Sequence, residues 1–312
     1  MPEPTDQREA KFFDLSARTK LRLSGTDRLR FLNGQITNDA AKATGSTGIT
    51  ASVLNAKGNM DAQVFLSQGA DCFFIDADPE LREKLQARLE RYVIADDVAI
   101  EDVSAQFSIF HVAAASAPAV PDFCRVVQIS RFRRGGWDVW VEMGQREEVF
   151  AQLSGHHSFC DDSCMEVLRI EQGIARWNRE LTEAIIPVEA NLEDSSIDYD
   201  KGCYIGQEVI SRMKISGQRN KKLCGFVSLY DSPLESGMKI FPVGEETKEA
   251  GWITSAVHSR RLGKEIALGY LKRPFFHATY RLDAMNPENL GRAVVRIEIA
   301  DLPFTGVATG ID

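Results

Sequence analysis

The sequence predicts an α+β protein that ends in a small all-β domain, and three observations carry that expectation. The chain has 312 residues, too many for one ordinary core and suited to two or three packed units. Over the first two thirds, strand-like and helix-like stretches mix without a strict βαβ rhythm. After about Lys222, short strands separated by turn residues dominate, the pattern of a small barrel or sandwich. The domain boundary is placed near Gly217, dividing the chain into 1–217 and 218–312.

Lys20 to Ser24 alternates as a strand, with Leu21 and Leu23 on one face. A helix follows over Asp27 to Asn33, with Thr26 placed to cap it and Gly34 to end it. Gln35 to Asp39 is a polar loop. Thr50 to Leu54 and Met60 to Leu66 form a hairpin around Asn55-Ala56-Lys57-Gly58. Asp71 to Ala77 is a strand. Pro79 to Tyr92 is a helix with Leu81, Leu85, Leu89 and Tyr92 on its apolar stripe. Strands are expected at Val98 to Val103, Phe107 to Val112, Arg125 to Ile129 and Trp137 to Glu142, and a helix at Gln145 to Leu153. Ser163-Cys164-Met165-Glu166 reads as a capping box opening a helix to about Ala175. A helix is also expected over Gln207 to Met213. The C-terminal strands are Lys222 to Tyr230, Lys239 to Phe241, Gly251 to His258, Ile266 to Lys272, Ala278 to Leu282 and Ala293 to Ile299. No internal repeat is visible.

Composition excludes several classes. Apolar residues make up 44% and charged residues 26%, an ordinary globular mixture. The net charge of −8 disfavours DNA as a partner. A basic stretch runs from Arg212 to Lys222, but no aromatic residues interleave it, so RNA binding is disfavoured as well. No secretory signal or transit peptide opens the chain. The longest uncharged stretch, Ser104 to Pro121, reads as a strand and loop rather than a membrane span. A cytoplasmic monomer is expected. Six cysteines spread through a chain of this length fit reduced thiols better than a disulfide scaffold. His156, His157, Cys160 and Cys164 lie close together, yet their spacing reads as a loop and helix start, and no metal is expected there. No phosphate-cradling loop or dinucleotide fingerprint is present.

The sharpest segment is Lys201-Gly202-Cys203-Tyr204-Ile205-Gly206-Gln207-Glu208. A thiol just before a helix N-terminus, with a lysine nearby, favours the thiolate, so Cys203 reads as a reactive or cluster-touching thiol tuned by Lys201. A small buried residue in a tight turn is the structural alternative. On the helix opened by Ser163, Glu171 falls among Val167, Leu168, Ile170 and Ile174, on the apolar side. A carboxylate buried there needs donors. An internal arginine such as Arg212 would serve; so would a ligand with two parallel N–H groups.

The Lys201–Glu208 segment resembles the signature of the YgfZ family, which is related to the glycine-cleavage aminomethyltransferases. Arg169 to Ile174 with Trp177 to Leu181, Pro187 to Leu192, Gly251 to Ser255, Ile266 to Leu271, Asp301 to Phe304 and Phe31 to Asp39 resemble further family segments in order. Ala175 stands near where proline is common. The resemblance implies an aminomethyltransferase-like ring of two α+β lobes and a C-terminal antiparallel β-barrel, holding tetrahydrofolate centrally. It implies that Glu171 takes the pterin, with Arg212 and Tyr204 beside the ligand and the basic stretch seating the folate tail. It also implies a role with iron–sulfur assembly proteins. The transferases carry a catalytic acid about five residues beyond the hairpin glycine. That register gives Ala62 and Gln63, and neither can act as an acid or base. Asp61 is the acid of the alternative reading, a one-carbon transferase, with Asp39 as a further option; alternation turns Asp61 to the face opposite Ala62.

Overall fold

The computed structural model describes residues 10–132, 135–245, 247–276, 281–286 and 294–304. The chain divides into two compact units. The first takes the described residues up to Asn55, then Asp61–Met165 and Ser195–Ile205. The second takes Ala56–Met60, Glu166–Asp194 and the described residues from Gly206 on.

The first unit opens with β1 (Lys11–Asp14), β2 (Thr19–Ser24) and α1 (Arg28–Gln35). The hairpin strands β3 (Ile49–Leu54) and β4 (Met60–Gln68) follow, then β5 (Cys72–Ala77), α2 (Arg82–Glu90) and β6 (Ala99–Asp102). Strands β7 (Phe107–Ala113), β8 (Arg125–Gln128) and β9 (Trp137–Glu142) lead to α3 (Arg146–Ser154), the short β10 (Ser158–Phe159) and the start of α4 (Asp162–Glu171), whose residues from Glu166 on belong to the second unit. One five-stranded sheet has the order β3-β4-β5-β2-β6, the other β10-β1-β7-β9-β8. Leu85 and Leu89 of α2 and Leu81 just before it are buried, as the apolar stripe required, but the helix stops at Glu90 and Tyr92, expected on that stripe, is exposed beyond it. Val149 and Leu153 of α3 join Phe12, Phe110, Val112, Val139 and Val141 in the core of the second sheet.

A buried charge chain crosses this unit. The Arg131 guanidinium donates to Asp76 at 2.6 Å and to both oxygens of Asp138, and Arg18 donates to the other oxygen of Asp76 at 2.5 Å. His111 Nδ1 lies 2.8 Å from Asp138. Burial pushes the Asp138 carboxyl up, but the Arg131 charge and the His111 contact outweigh it and hold Asp138 below the usual range.

The second unit contains α5 (Glu193–Ser196) only in part, then α6 (Gln207–Ser216) and six strands: β11 (Lys221–Ser228), β12 (Lys239–Pro242), β13 (Gly251–Ser259), β14 (Lys264–Lys272), β15 (Leu282–Met285) and β16 (Val294–Ala300). They close into an antiparallel barrel, β11-β14-β13-β12-β15-β16. Closure leaves no edge strand to protect. Phe226, Ile240, Ile253, Ala267, Leu271, Leu282 and Ile297 fill its interior. Fully burying the Phe, Ile and Leu side chains among them contributes about 1.5–3 kcal/mol each. Of the strand expected at Ala278 to Leu282, residues 278–280 lie outside the described residues, as does Ala293.

Several local expectations need correction. Gly34 does not end α1, which continues to Gln35; a β-carbon there would meet nothing within 4 Å. Thr26 does not cap α1, because its hydroxyl donates to Asp97 at 2.7 Å. Ser163 does not open α4: the Asp161 carboxylate accepts from the Cys164 amide at 2.8 Å. Nor does α4 reach Ala175. Gly173 takes a left-handed φ of 67°, and a β-carbon on it would lie 2.8 Å from Leu302. Not all thiols are reduced: Cys160 and Cys164 form a disulfide, with Cα atoms 5.4 Å apart, and the other four cysteines are free. Among the described residues no helix is long and apolar enough to cross a membrane.

Candidate functional site

A helix leaves its last carbonyls without amide partners, and the negative end of its dipole favours a cation there. At the end of α1, Lys201 fills that role. Its ammonium donates to the carbonyls of Asn33 at 2.9 Å, Ile36 at 2.7 Å and Asn38 at 2.8 Å. These acceptors use all three of its protons. Burial pushes the ammonium down to about 8, so it is still charged at neutral pH. The side chain thus joins Phe31–Asp39 to the loop it stands on.

Other bonds reinforce the join. The Ile205 amide donates to Gly34 O at 3.2 Å, and the Asp198 amide to Thr37 O at 3.0 Å. The Thr37 hydroxyl donates to Ser196 O at 2.5 Å, and Lys42 pairs with Asp198 at 2.7 Å. Between the anchors at Lys201 and Ile205 stand Gly202 and Cys203, both exposed, and Tyr204, which is buried. The Tyr204 ring lies under the Lys201 ammonium, 5.2 Å from centroid to nitrogen. Desolvation, helped by Asp198, raises the Tyr204 phenol to about 12. The loop therefore holds one exposed, free thiol on a backbone fixed from both sides. Lys201, expected to tune that thiol, is instead committed to backbone carbonyls, and Tyr204 packs beneath the lysine.

The hairpin acid is committed as well. Arg88 donates from Nε to Asp61 at 2.7 Å, from Nη1 to Gln35 Oε1 at 2.9 Å and from Nη2 to Leu54 O at 2.8 Å. Its guanidinium stacks 4.3 Å from the Tyr92 ring centroid. Asp61 thus ties the hairpin to α1 through Arg88. Ala62 and Gln63, the expected register of a catalytic acid, are both buried.

In the second unit, the residues of the Arg169–Leu181 segment form a buried clasp on the barrel. Glu180 is fully buried. One of its oxygens accepts from Thr254 at 2.7 Å and Ser255 at 2.6 Å. The other accepts from Arg169 Nη1 at 2.9 Å and the Arg176 amide at 3.1 Å. Consecutive strand residues normally point to opposite faces. Here the register between β13 and β14 shifts at Ile253/Ser255, leaving Thr254 as an extra residue. That bulge lets both hydroxyls reach one carboxylate oxygen. Arg169 also donates to Ser255 at 2.6 Å.

Glu171 belongs to the same clasp. It is buried as expected. Its two oxygens accept from the Ser259 hydroxyl at 2.5 Å and from Arg261 Nε at 2.8 Å. Its carbonyl accepts from the Phe304 amide at 2.8 Å, so Asp301 to Phe304 closes over the end of α4. The arginine that meets Glu171 is Arg261, itself half exposed, rather than Arg212. Arg212 is exposed on α6, 3.7 Å from Glu208. Elsewhere in the basic stretch, Arg219 pairs with Glu193 at 3.0 Å and Lys221 donates to Ala184 O at 2.8 Å. Each Glu171 oxygen thus accepts one protein donor, whereas each Glu180 oxygen accepts two, the number a carboxylate oxygen can take. Of the residues expected beside a pterin, Glu171 stands in this clasp, Tyr204 packs against Lys201, and Arg212 is exposed on α6.

Sequence reasoning missed Glu180, Arg169, Thr254 and Ser255. Their only signal was membership in segments with a family resemblance, since no local pattern announces a bulge. Among the described residues, no group of three or more His, Cys, Asp or Glu is placed to hold a metal ion.

The fold is that of an aminomethyltransferase. The structure superposes on glycine cleavage system aminomethyltransferase T from Bartonella henselae with a TM-score of 0.82, covering 95% of this chain and 86% of that one at 15% identity. Residues 221–304 match the glycine cleavage T-protein C-terminal barrel domain. Among curated relatives, the chain is 25% identical over 247 residues to the mitochondrial iron–sulfur cluster assembly factor IBA57 homolog of Dictyostelium discoideum, covering 67% of this chain and 60% of that protein. It is 32% identical over 136 residues to the aminomethyltransferase of Aquifex aeolicus, covering 44% of this chain and 36% of that one. The aminomethyltransferase of Bacillus subtilis is 22% identical over 325 residues, covering 95% and 87%.

Proposed function

We propose that this chain is an accessory factor for iron–sulfur cluster assembly or repair, of the YgfZ type, and that it works through Cys203. The observation that carries the proposal is the exposed, free thiol on a loop pinned by Lys201. A pinned backbone presents the sulfur at a set position, which suits a ligand to iron. Other ligands to a cluster would come from partner proteins, since Cys203 offers one sulfur. The similarity to a named iron–sulfur cluster assembly factor supports the same reading.

Aminomethyl transfer is disfavoured by the hairpin. Asp61 is ion-paired to Arg88, and Ala62 and Gln63 supply no acid. Reduced folate enters the proposal through the fold and through the relatives called aminomethyltransferases. We assign it no step at Glu171 or Arg212. The compartment we expect is the cytoplasm, where the four free thiols stay reduced.

Two measurements test the proposal. Activity of iron–sulfur enzymes in cells lacking the protein should be restored by the wild type and not by Cys203→Ser; equal restoration by both sinks the thiol's role. Calorimetry with tetrahydrofolate should give saturable heat that Glu171→Gln leaves in place if the folded variant is recovered. Absence of heat with wild type removes folate from the reading. Formation of methylenetetrahydrofolate from an aminomethyl donor would instead establish a transferase.

A further inference from the structure

The Cys160–Cys164 pair carries chemistry that the Cys203 loop does not use. Both cysteines lie in the first unit, and they alone among the six are joined. As a staple the bond does little, because it links residues four apart and so short a loop removes little freedom from the unfolded chain. The segments it touches are already tied. Asp161 caps the start of α4 through the Cys164 amide. The Cys160 amide donates to Phe12 O at 2.9 Å and the Ser158 amide to Ala10 O at 3.1 Å, which holds β10 against β1.

The two sulfurs are unequal. Cys160 is buried, whereas Cys164 is only half-buried. The Lys11 ammonium lies 3.6 Å from Cys164 Sγ. Cys164 also stands in the first turn of α4, where the positive helix end favours an anion, with its own amide already capped by Asp161. One sulfur is thus reachable and supported as a thiolate; the other is sheltered.

We propose that Cys160–Cys164 is a reversible dithiol–disulfide couple that exchanges with low-molecular-weight thiols of the glutathione class, independently of Cys203. An incoming thiolate attacks Cys164 Sγ. A mixed disulfide forms there, the Cys160–Cys164 bond breaks, and Cys160 leaves with the electron pair and takes a proton from solvent. A second thiolate then attacks the outer sulfur of the mixed disulfide. The small-molecule disulfide departs, and Cys164 leaves as a thiolate beside Lys11. Two thiols are oxidised to one disulfide while the protein disulfide is reduced to two thiols. The reverse sequence reoxidises the pair.

The test uses the full chain in buffers graded from reduced to oxidised glutathione, with iodoacetamide trapping and peptide mass spectrometry. Cys160 and Cys164 should become alkylated together as the buffer becomes more reducing, and close again when the ratio is reversed. A bridge that survives in reduced glutathione alone marks a staple and overturns the proposal. So does a pair that stays reduced in oxidised glutathione alone. Cys160→Ser should retain glutathione on Cys164; an unmodified Cys164 overturns its assignment as the attacked sulfur. Lys11→Met should move half-reduction several-fold toward more reducing ratios, and an unchanged ratio overturns the part given to Lys11.

Discussion

Replacing Lys201 with methionine keeps much of the side-chain length and removes the ammonium that joins α1 to the Cys203 loop. Three carbonyls, those of Asn33, Ile36 and Asn38, would lose a charged donor at 2.7–2.9 Å. Hydrogen bonds to charged groups contribute about 1.5–3 kcal/mol each, but this lysine is only partly buried and water can replace some of them. Recovered desolvation of the ammonium offsets a further part, so a net loss of about 2–4 kcal/mol is expected. At about 2 °C per kcal/mol for a chain of this size, the melting transition should fall by roughly 4–8 °C. Lys201→Arg should rescue little of it, because a planar guanidinium cannot aim three N–H groups from one nitrogen at three converging carbonyls. Differential scanning calorimetry reads the stability, and protease cleavage within residues 198–205 reads the loop. A Lys201→Met protein that melts like the wild type with an equally protected loop would refute the reasoning, as would full rescue by arginine.

Further outcomes follow from the same geometry. Glu180→Gln removes one of the two carboxylates on buried Arg169, leaving Glu166, and turns an amide N–H toward donors; it should cost about 1–3 kcal/mol, read as a fall in melting temperature. Asp61→Asn should cost about 1 kcal/mol through its bond to Arg88 and leave iron–sulfur enzyme activity in cells intact; loss of activity without loss of stability would restore Asp61 as a working acid. Asp138 is held below its ordinary value of 3.8 in the folded protein, so its contribution is complete above that pH and is lost as pH falls through the lower folded value. Acid titration of wild type should show this loss below the ordinary aspartate range, and Asp138→Asn, if it folds, should lack that step.

The fold was legible where periodicity acts alone. Leu85 and Leu89 marked α2, though Tyr92 falls outside it and is exposed, and the short C-terminal strands marked the barrel. Helix ends were less legible because caps are competitions. Thr26 gives its hydroxyl to Asp97, seventy-one residues away, and Gly34 is tolerated inside α1. Glu171 illustrates the limit at the site. Its burial followed from the helical pattern, but its partners, Ser259 and Arg261, lie 88 and 90 residues along the chain. Only the barrel brings them near. The bulge at Thr254 was invisible for the same reason, since it depends on the pairing of β13 with β14. Lys201 stood out beside Cys203, yet proximity in sequence concealed that its ammonium serves three carbonyls of another segment.

Cys203→Ser keeps the loop's size and removes only the sulfur, which makes it the sharpest probe of the exposed thiol. Introduced into cells that depend on this protein, and matched to wild type for abundance, it should leave iron–sulfur enzymes at the level of the empty vector. Full recovery of those enzymes with serine at that position would contradict a working thiol there.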